Sequence, residues 1–277
     1  MDRIYVWMQR RNFIRAAGIA STSSIGIIGV GAASEGRSEK LTGVDHAIAK
    51  LLREAEFDKA KKIADRHGLD YTMSKDVVNN SGDDVGTDSF ARDESTLYLS
   101  VVERSGGDDL WLASATAVLT GNHNTLVQEG THVVEDGFGI FFDSSEWTAP
   151  DPDPATVNRS ISWDGPIVPG DDGYSVGIAD YDPNYGVAAE VELPEQWAAD
   201  DTSELVVGLQ EDFTRVDTGN DNVAIQSRYN HTYGNSSTLS SVSIGIGPIG
   251  FSVDVSYGDD LWDPLYVTAK PGESDES

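Results

Sequence analysis

Thr96-Leu97-Tyr98-Leu99-Ser100-Val101-Val102-Glu103, Arg104-Ser105-Gly106-Gly107-Asp108-Asp109 and Leu110-Trp111-Leu112-Ala113-Ser114-Ala115-Thr116-Ala117-Val118-Leu119 follow one another without interruption. Two runs of strand-forming residues flank a turn of Gly and Asp, which is the pattern of a β-hairpin. The same alternation of short apolar runs and turn residues continues toward the C-terminus. It predicts strands over 138–142, 157–163, 174–179, 186–193, 205–210, 223–229, 239–246, 249–257 and 265–269. A short strand over 131–134 would pair with 138–142 around Asp136-Gly137. Turn signals recur every 8–12 residues or so, the spacing of an antiparallel sandwich or barrel. The expectation is a mainly β domain over 91–270. The rigid Asp151-Pro152-Asp153-Pro154 break marks an alternative domain boundary near 150–154.

On the N-terminal side, 34–90 reads as a helix and a polar linker. Val44, Ile48, Leu51, Leu52, Ala55, Ala60, Ile63 and Ala64 lie at helical spacing, which predicts one amphipathic helix over 43–67. Gly68 stands where a C-cap belongs. Such a helix packs on a sheet with its charges in water, the preferred reading, or docks on a partner or membrane.

Further upstream, Arg10-Arg11-Asn12-Phe13-Ile14-Arg15 precedes a weakly apolar run from Ala16 to Ala33. Arg10, Arg11 and Phe13 carry the pattern of a twin-arginine (Tat) export signal. Gly31-Ala32-Ala33-Ser34 supplies the small residues of a cleavage site, so 1–33 is expected to be the signal peptide. Met8 offers a second start with a shorter basic region. The expected address is secreted or cell-surface, with the Tat translocase as partner during export. Residues 271–277 read as a disordered acidic tail.

The whole chain has 19 Lys+Arg against 47 Asp+Glu, a net charge of −28. Without residues 1–33, 15 basic and 46 acidic residues remain, or −31. Self-repulsion of that size strains a compact fold in dilute buffer. At molar salt the Debye length shrinks to about 3 Å and the strain subsides. No basic stripe exists after the signal, which excludes nucleic acid as a partner. There is no cysteine, which excludes disulfides, thiol catalysis and Cys-type metal sites. The acidity together with the twin-arginine signal resembles haloarchaeal Tat-exported acidic secreted proteins. The order of leader, charged helix and strands over residues 8–120 resembles halocin precursors, though without a cysteine-rich C-terminal segment.

Three constellations suggest sites. Asp180, Asp182 and Asn184 place oxygen atoms at every second residue, as a calcium loop does, making Ca2+ the one cofactor with any support. A strand–turn–strand connection explains the same residues, because the EF-hand glycine and glutamate positions hold Tyr185 and Val191. Asn79, Asn158, Asn230 and Asn235 begin Asn-x-Ser/Thr sequons and are glycosylation candidates in an exported chain. Val242, Ile244 and Ile246, then Ile249, Phe251 and Val253, alternate with Ser, Gly and Asp to give an amphipathic hairpin. A hairpin of this kind can insert into a membrane as part of a closed barrel. A soluble sandwich hairpin with one face in the core explains the same alternation with nothing added, and is the preferred reading.

No H-E-x-x-H, nucleophile elbow or phosphate loop occurs in the exported part. The preferred reading is a non-enzymatic β-rich binding or structural module adapted to high salt. The alternatives are a membrane-active, halocin-like protein and a carboxylate- or metal-dependent hydrolase.

Overall fold

The computed structural model describes residues 42–76, 95–106, 109–121, 136–150, 153–163, 175–192, 203–216, 224–234, 242–248, 250–255, 259–261 and 264–271. The signal residues Arg10, Arg11 and Phe13, the sequons at Asn79 and Asn235, the 131–134 strand and Ile249 lie outside them.

The fold is mainly β and antiparallel. Its strands are β1 (Tyr71–Asp76), β2 (Thr96–Glu103), β3 (Leu110–Gly121), β4 (Asp136–Phe142), β5 (Trp147–Thr148), β6 (Asn158–Trp163), β7 (Ser175–Asp182), β8 (Gly186–Glu192), β9 (Ser203–Arg215), β10 (Ile225–Asn230), β11 (Thr232–Gly234), β12 (Val242–Gly247), β13 (Gly250–Val255), β14 (Asp259–Leu261) and β15 (Leu265–Ala269). The first sheet has the order β1-β2-β3-β9-β5, with β6 also paired to β9. The second has the order β15-β10-β4-β8-β7. Strands from both sides of the Asp151–Pro154 break enter each sheet, so the break interrupts the chain and not the core.

Period-two alternation sends Leu97, Leu99 and Val101 of β2, Ala113, Ala115 and Ala117 of β3, and Leu205, Val207 and Leu209 of β9 toward the second sheet. There they meet Phe138, Ile140, Val187, Ala189, Ile225, Tyr229 and Leu265. The opposite face of the first sheet carries Val102 and Leu112, which pack under two helices, α1 (Gly43–Arg53) and α2 (Phe57–His67).

The single helix expected over 43–67 is two. Ala55, at φ 53°, breaks it after Arg53. Unbroken, those 25 residues would form a rod about 37 Å long. Folded back, Ile48 and Leu52 of α1 and Ala60 and Ala64 of α2 join one apolar cluster. Phe57, opening α2, stacks on Tyr98 of β2 with ring centroids 4.4 Å apart. Gly68 ends α2 in the left-handed region at φ 67°, as its place in the sequence suggested.

Thr42 starts α1 with a capping box. Its side chain accepts from Val44 N and Asp45 N, while Asp45 accepts from Thr42 N at 2.8 Å. The buried Asp45 also accepts from Ser105 N at 2.8 Å and Ser105 Oγ at 2.6 Å, tying the helix start to the β2–β3 turn. Burial opposes ionisation of Asp45. The hydrogen bonds from Ser105 and Thr42 outweigh it and hold the carboxyl below its ordinary pKa. Beside this tie, buried Arg104 pairs with Asp212 at 2.6 Å and donates to the Asp45 carbonyl.

The Asp136-Gly137 turn expected from the sequence is not a turn. Both residues lie inside β4, opposite Val191 and Glu190 of β8.

Candidate functional site on the outer face of the second sheet

Part of the outer face of the second sheet is covered. The covering element is the β12–β13 hairpin, which among the described residues forms a two-stranded sheet of its own. It lies across β4, β7 and β8 and is held from the side by packing.

Two glycines make that packing close. Outward positions on β4 are Gly137, Gly139 and Phe141, since Phe138, Ile140 and Phe142 point into the core. A Cβ on Gly139 would stand 2.5 Å from Phe251 Cδ2, and one on Gly137 would collide with Val253 Cγ2. Phe251 is buried in this slot, with 7% of its surface exposed, and stacks on Phe141 at 6.2 Å. Ile244, Ile246 and Val253 are half-buried; Val242 pairs with Val255 in the hairpin ladder.

The calcium candidates are part of this arrangement. Asp180 sits at an irregularity in β7, where the pairing register with β8 shifts between Ile178 and Asp180. It accepts from Ile246 N at 2.9 Å through Oδ2 and from Tyr181 N at 2.9 Å through Oδ1. It thereby anchors the hairpin to β7. Asp182 Oδ1 accepts from Asn184 N at 2.8 Å and Asn184 Nδ2 at 3.1 Å, which builds the β7–β8 turn. Both Asp180 oxygens and Asp182 Oδ1 serve these hydrogen bonds. Among the described residues no group of three or more His, Asp or Glu side chains converges as a metal site would require.

The rest of this face is formed by β10 and β15. The register sets Arg228 between Gly139 of β4 and Tyr266 of β15, and Asn230 opposite Gly137. Gln226, Arg228 and Asn230 share the outer face, because Ile225, Ser227 and Tyr229 face inward. Tyr266 is 45% exposed, and its ring lies 6.4 Å from that of Phe141. Phe251, Phe141 and Tyr266 therefore run as a row of rings from the hairpin to the sheet edge.

Two polar side chains on this face have no partner among the described residues. Asn230 is 1% exposed, and neither its Nδ2 nor its Oδ1 is hydrogen-bonded. The Nε of half-buried Arg228 is likewise unsatisfied. Burial pulls the Arg228 pKa below its ordinary value. Unsatisfied buried donors cost about 1–3 kcal/mol each, so two residues of this kind on one strand face call for an explanation.

Behind them, on the core side of the same strand ends, lies a second polar cluster. Tyr229 Oη donates to Asp136 Oδ2 at 2.5 Å, and His231 Nδ1 lies 2.8 Å from the same oxygen. Asp136 is fully buried, and His231 is nearly so. Burial, then the charge of Asp136 and the hydrogen bond to it, push the Tyr229 phenol well above its ordinary pKa. The phenol is thus a fixed neutral donor, and the cluster locks the start of β4 to the end of β10.

The sequons divide. Asn158 is exposed at the first position of β6. Asn230, chosen from the sequence as a loop acceptor, is instead a strand residue whose buried amide is closed to a glycosyltransferase on the folded chain. The sequence did not single out Arg228 or Tyr266, offered Asp136 only as a turn residue, and gave His231 no role. The one signal was the Arg228-Tyr229-Asn230-His231 run, in which polar groups at the end of an apolar strand alternate across both faces.

Compared with known protein families and with curated proteins, the chain matches none.

Proposed function

We propose that the chain is an exported, salt-adapted β-rich module that binds or builds at the cell surface or beyond it, without catalysis. The observation that supports this best is the docking of Phe251 between Gly137, Gly139 and Phe141. The apolar face that would enter a membrane is engaged with the second sheet. Tyr266 of β15, on the same face of that sheet, is exposed. The twin-arginine signal motivates the address, and the −31 charge of residues 34–277 motivates the requirement for salt.

Dye release from vesicles of archaeal polar lipids, with folded protein in molar salt, tests the reading. Intact vesicles are expected. Release that disappears in Phe251→Asp would overturn it in favour of a membrane-active hairpin. Fractionation of the producing cells tests the address, with accumulation of the folded protein in the cytoplasm as the contrary result.

A further inference from the structure

Charge is divided unevenly along the exported part of the chain. Residues 34–76 hold 9 basic and 9 acidic residues, whereas 77–277 hold 6 basic and 37 acidic, so the whole surplus of −31 lies in the second stretch. The neutral stretch includes α1 and α2, which cover the outer face of the first sheet. Lys59, Lys62 and Arg66 recur at helical spacing on α2, on the side away from buried Ala60 and Ala64, and all three are exposed. Lys59 pairs with Glu56 at 3.2 Å, while Lys62 and Arg66 form no ion pair among the described residues. Across the sandwich, Val187, Ala189 and Val191 of β8 point into the core, so Glu190 and Glu192 point outward from the second sheet. Both are exposed. Glu192 accepts from Ser175 Oγ at 3.0 Å, and neither carboxylate meets a cation among the described residues.

We propose that copies of the chain assemble head to tail, with Lys62 and Arg66 of one copy paired to Glu190 and Glu192 of the next. The helix layer of each molecule then docks on the outer face of its neighbour's second sheet. The spacings match: residues four apart on a helix stand about 6 Å apart, and residues two apart on a strand about 7 Å apart. The two patches differ and lie on opposite sides of the sandwich, so the contact repeats instead of closing as a two-fold dimer. Brine favours this arrangement. At molar salt the repulsion between whole molecules is screened beyond about 3 Å, whereas charges in hydrogen-bonded contact still attract. The inference rests on the building half of the reading above and gives it a partner, a second copy of the chain.

The test is sedimentation of the folded protein in molar salt over a concentration series that extends high, since exposed ion pairs are weak singly. The mean mass is expected to rise with concentration past that of a dimer. Lys62→Glu with Arg66→Glu should weaken the association about tenfold or more, and Glu190→Lys with Glu192→Lys should do the same. All four positions are exposed, so native circular dichroism is retained. Mixing the two double variants should restore association, because each then offers the other a matched face. A wild-type monomer at every concentration, a plateau at the dimer, reversals without effect or a mixture that stays monomeric would overturn the proposal. So would a monomer that binds vesicles of anionic lipid through Lys62 and Arg66, since the stripe is then a membrane contact. Cell fractionation separates this failure from that of the wider reading. A monomer recovered outside the cell leaves the exported module standing without this assembly, and folded protein held in the cytoplasm removes the wider reading itself.

Discussion

Gly139→Ala is expected to loosen the β12–β13 hairpin while leaving the two-sheet core intact. The added methyl would stand 2.5 Å from Phe251 Cδ2, 2.8 Å from Cε2 and 3.1 Å from Cγ, which no rotation of the methyl relieves. Either the ring leaves its slot or the hairpin shifts outward, at about 1–3 kcal/mol. Alanine recovers about 0.4–1 kcal/mol of this through the less flexible unfolded chain. Phe251→Ala alone empties the slot and costs about 3 kcal/mol, the lower end for a buried phenylalanine, because the hairpin can settle. When the two substitutions are combined, the methyl added by Gly139→Ala fills part of the space left by the ring. The double mutant should therefore cost about 1–2 kcal/mol less than the sum of the singles. Urea unfolding in molar salt gives the global values. Amide exchange over 242–255 locates the loss, which should exceed that in β2, β3 and β9. Additive costs, or a neutral Gly139→Ala, would refute the slot as the element that holds the hairpin.

Tyr229→Phe removes the donor to buried Asp136 and should cost about 1–3 kcal/mol, read from the urea midpoint. Because the folded state raises the Tyr229 pKa, its contribution is full below about pH 10 and lost as pH climbs toward the raised value; Tyr229→Phe should flatten that alkaline loss. The lowered pKa of Asp45 acts in the other direction. Its contribution is present above about pH 4 and lost on acidification toward the folded value, and Ser105→Ala should shrink that acid loss in a pH series of melting curves. Asp212→Ala strands a buried Arg104 and should cost about 3–5 kcal/mol, whereas Lys50→Ala, in an exposed pair with Glu54, should stay within about 0.5 kcal/mol. Diluting salt from molar to millimolar should unfold the chain, and full native circular dichroism in dilute buffer would contradict the charge argument.

The strands were legible because each is a short apolar run between turn residues. The limits of β2 and β15 agree with the sequence reading to the residue. β1 was missed because Tyr71-Thr72-Met73-Ser74-Lys75-Asp76 is too polar to stand out; it forms by pairing with β2. Gly137 resembled a turn residue because sequence cannot distinguish a glycine that bends the chain from one that admits a neighbour. The helix break at Ala55 carries no Gly or Pro signal. The amphipathic hairpin was visible, and its partner was not, since period two says which face is apolar and nothing of what covers it. Asn230 shows the same limit: a sequon states chemistry, while strand register decides access.

The central position of β3 also governs the order in which the molecule can assemble. One neighbour, β2, is joined to it by a turn, while the other, β9, begins at Ser203, some eighty residues after β3 ends. Until that strand arrives, a twelve-residue edge of β3 stands with its backbone groups unpaired. Topologies of this kind fold slowly and leave a template for mispairing while they wait. The dense negative charge then protects the half-made sheet from its own copies, a service to the nascent chain that is separate from any service to the finished one.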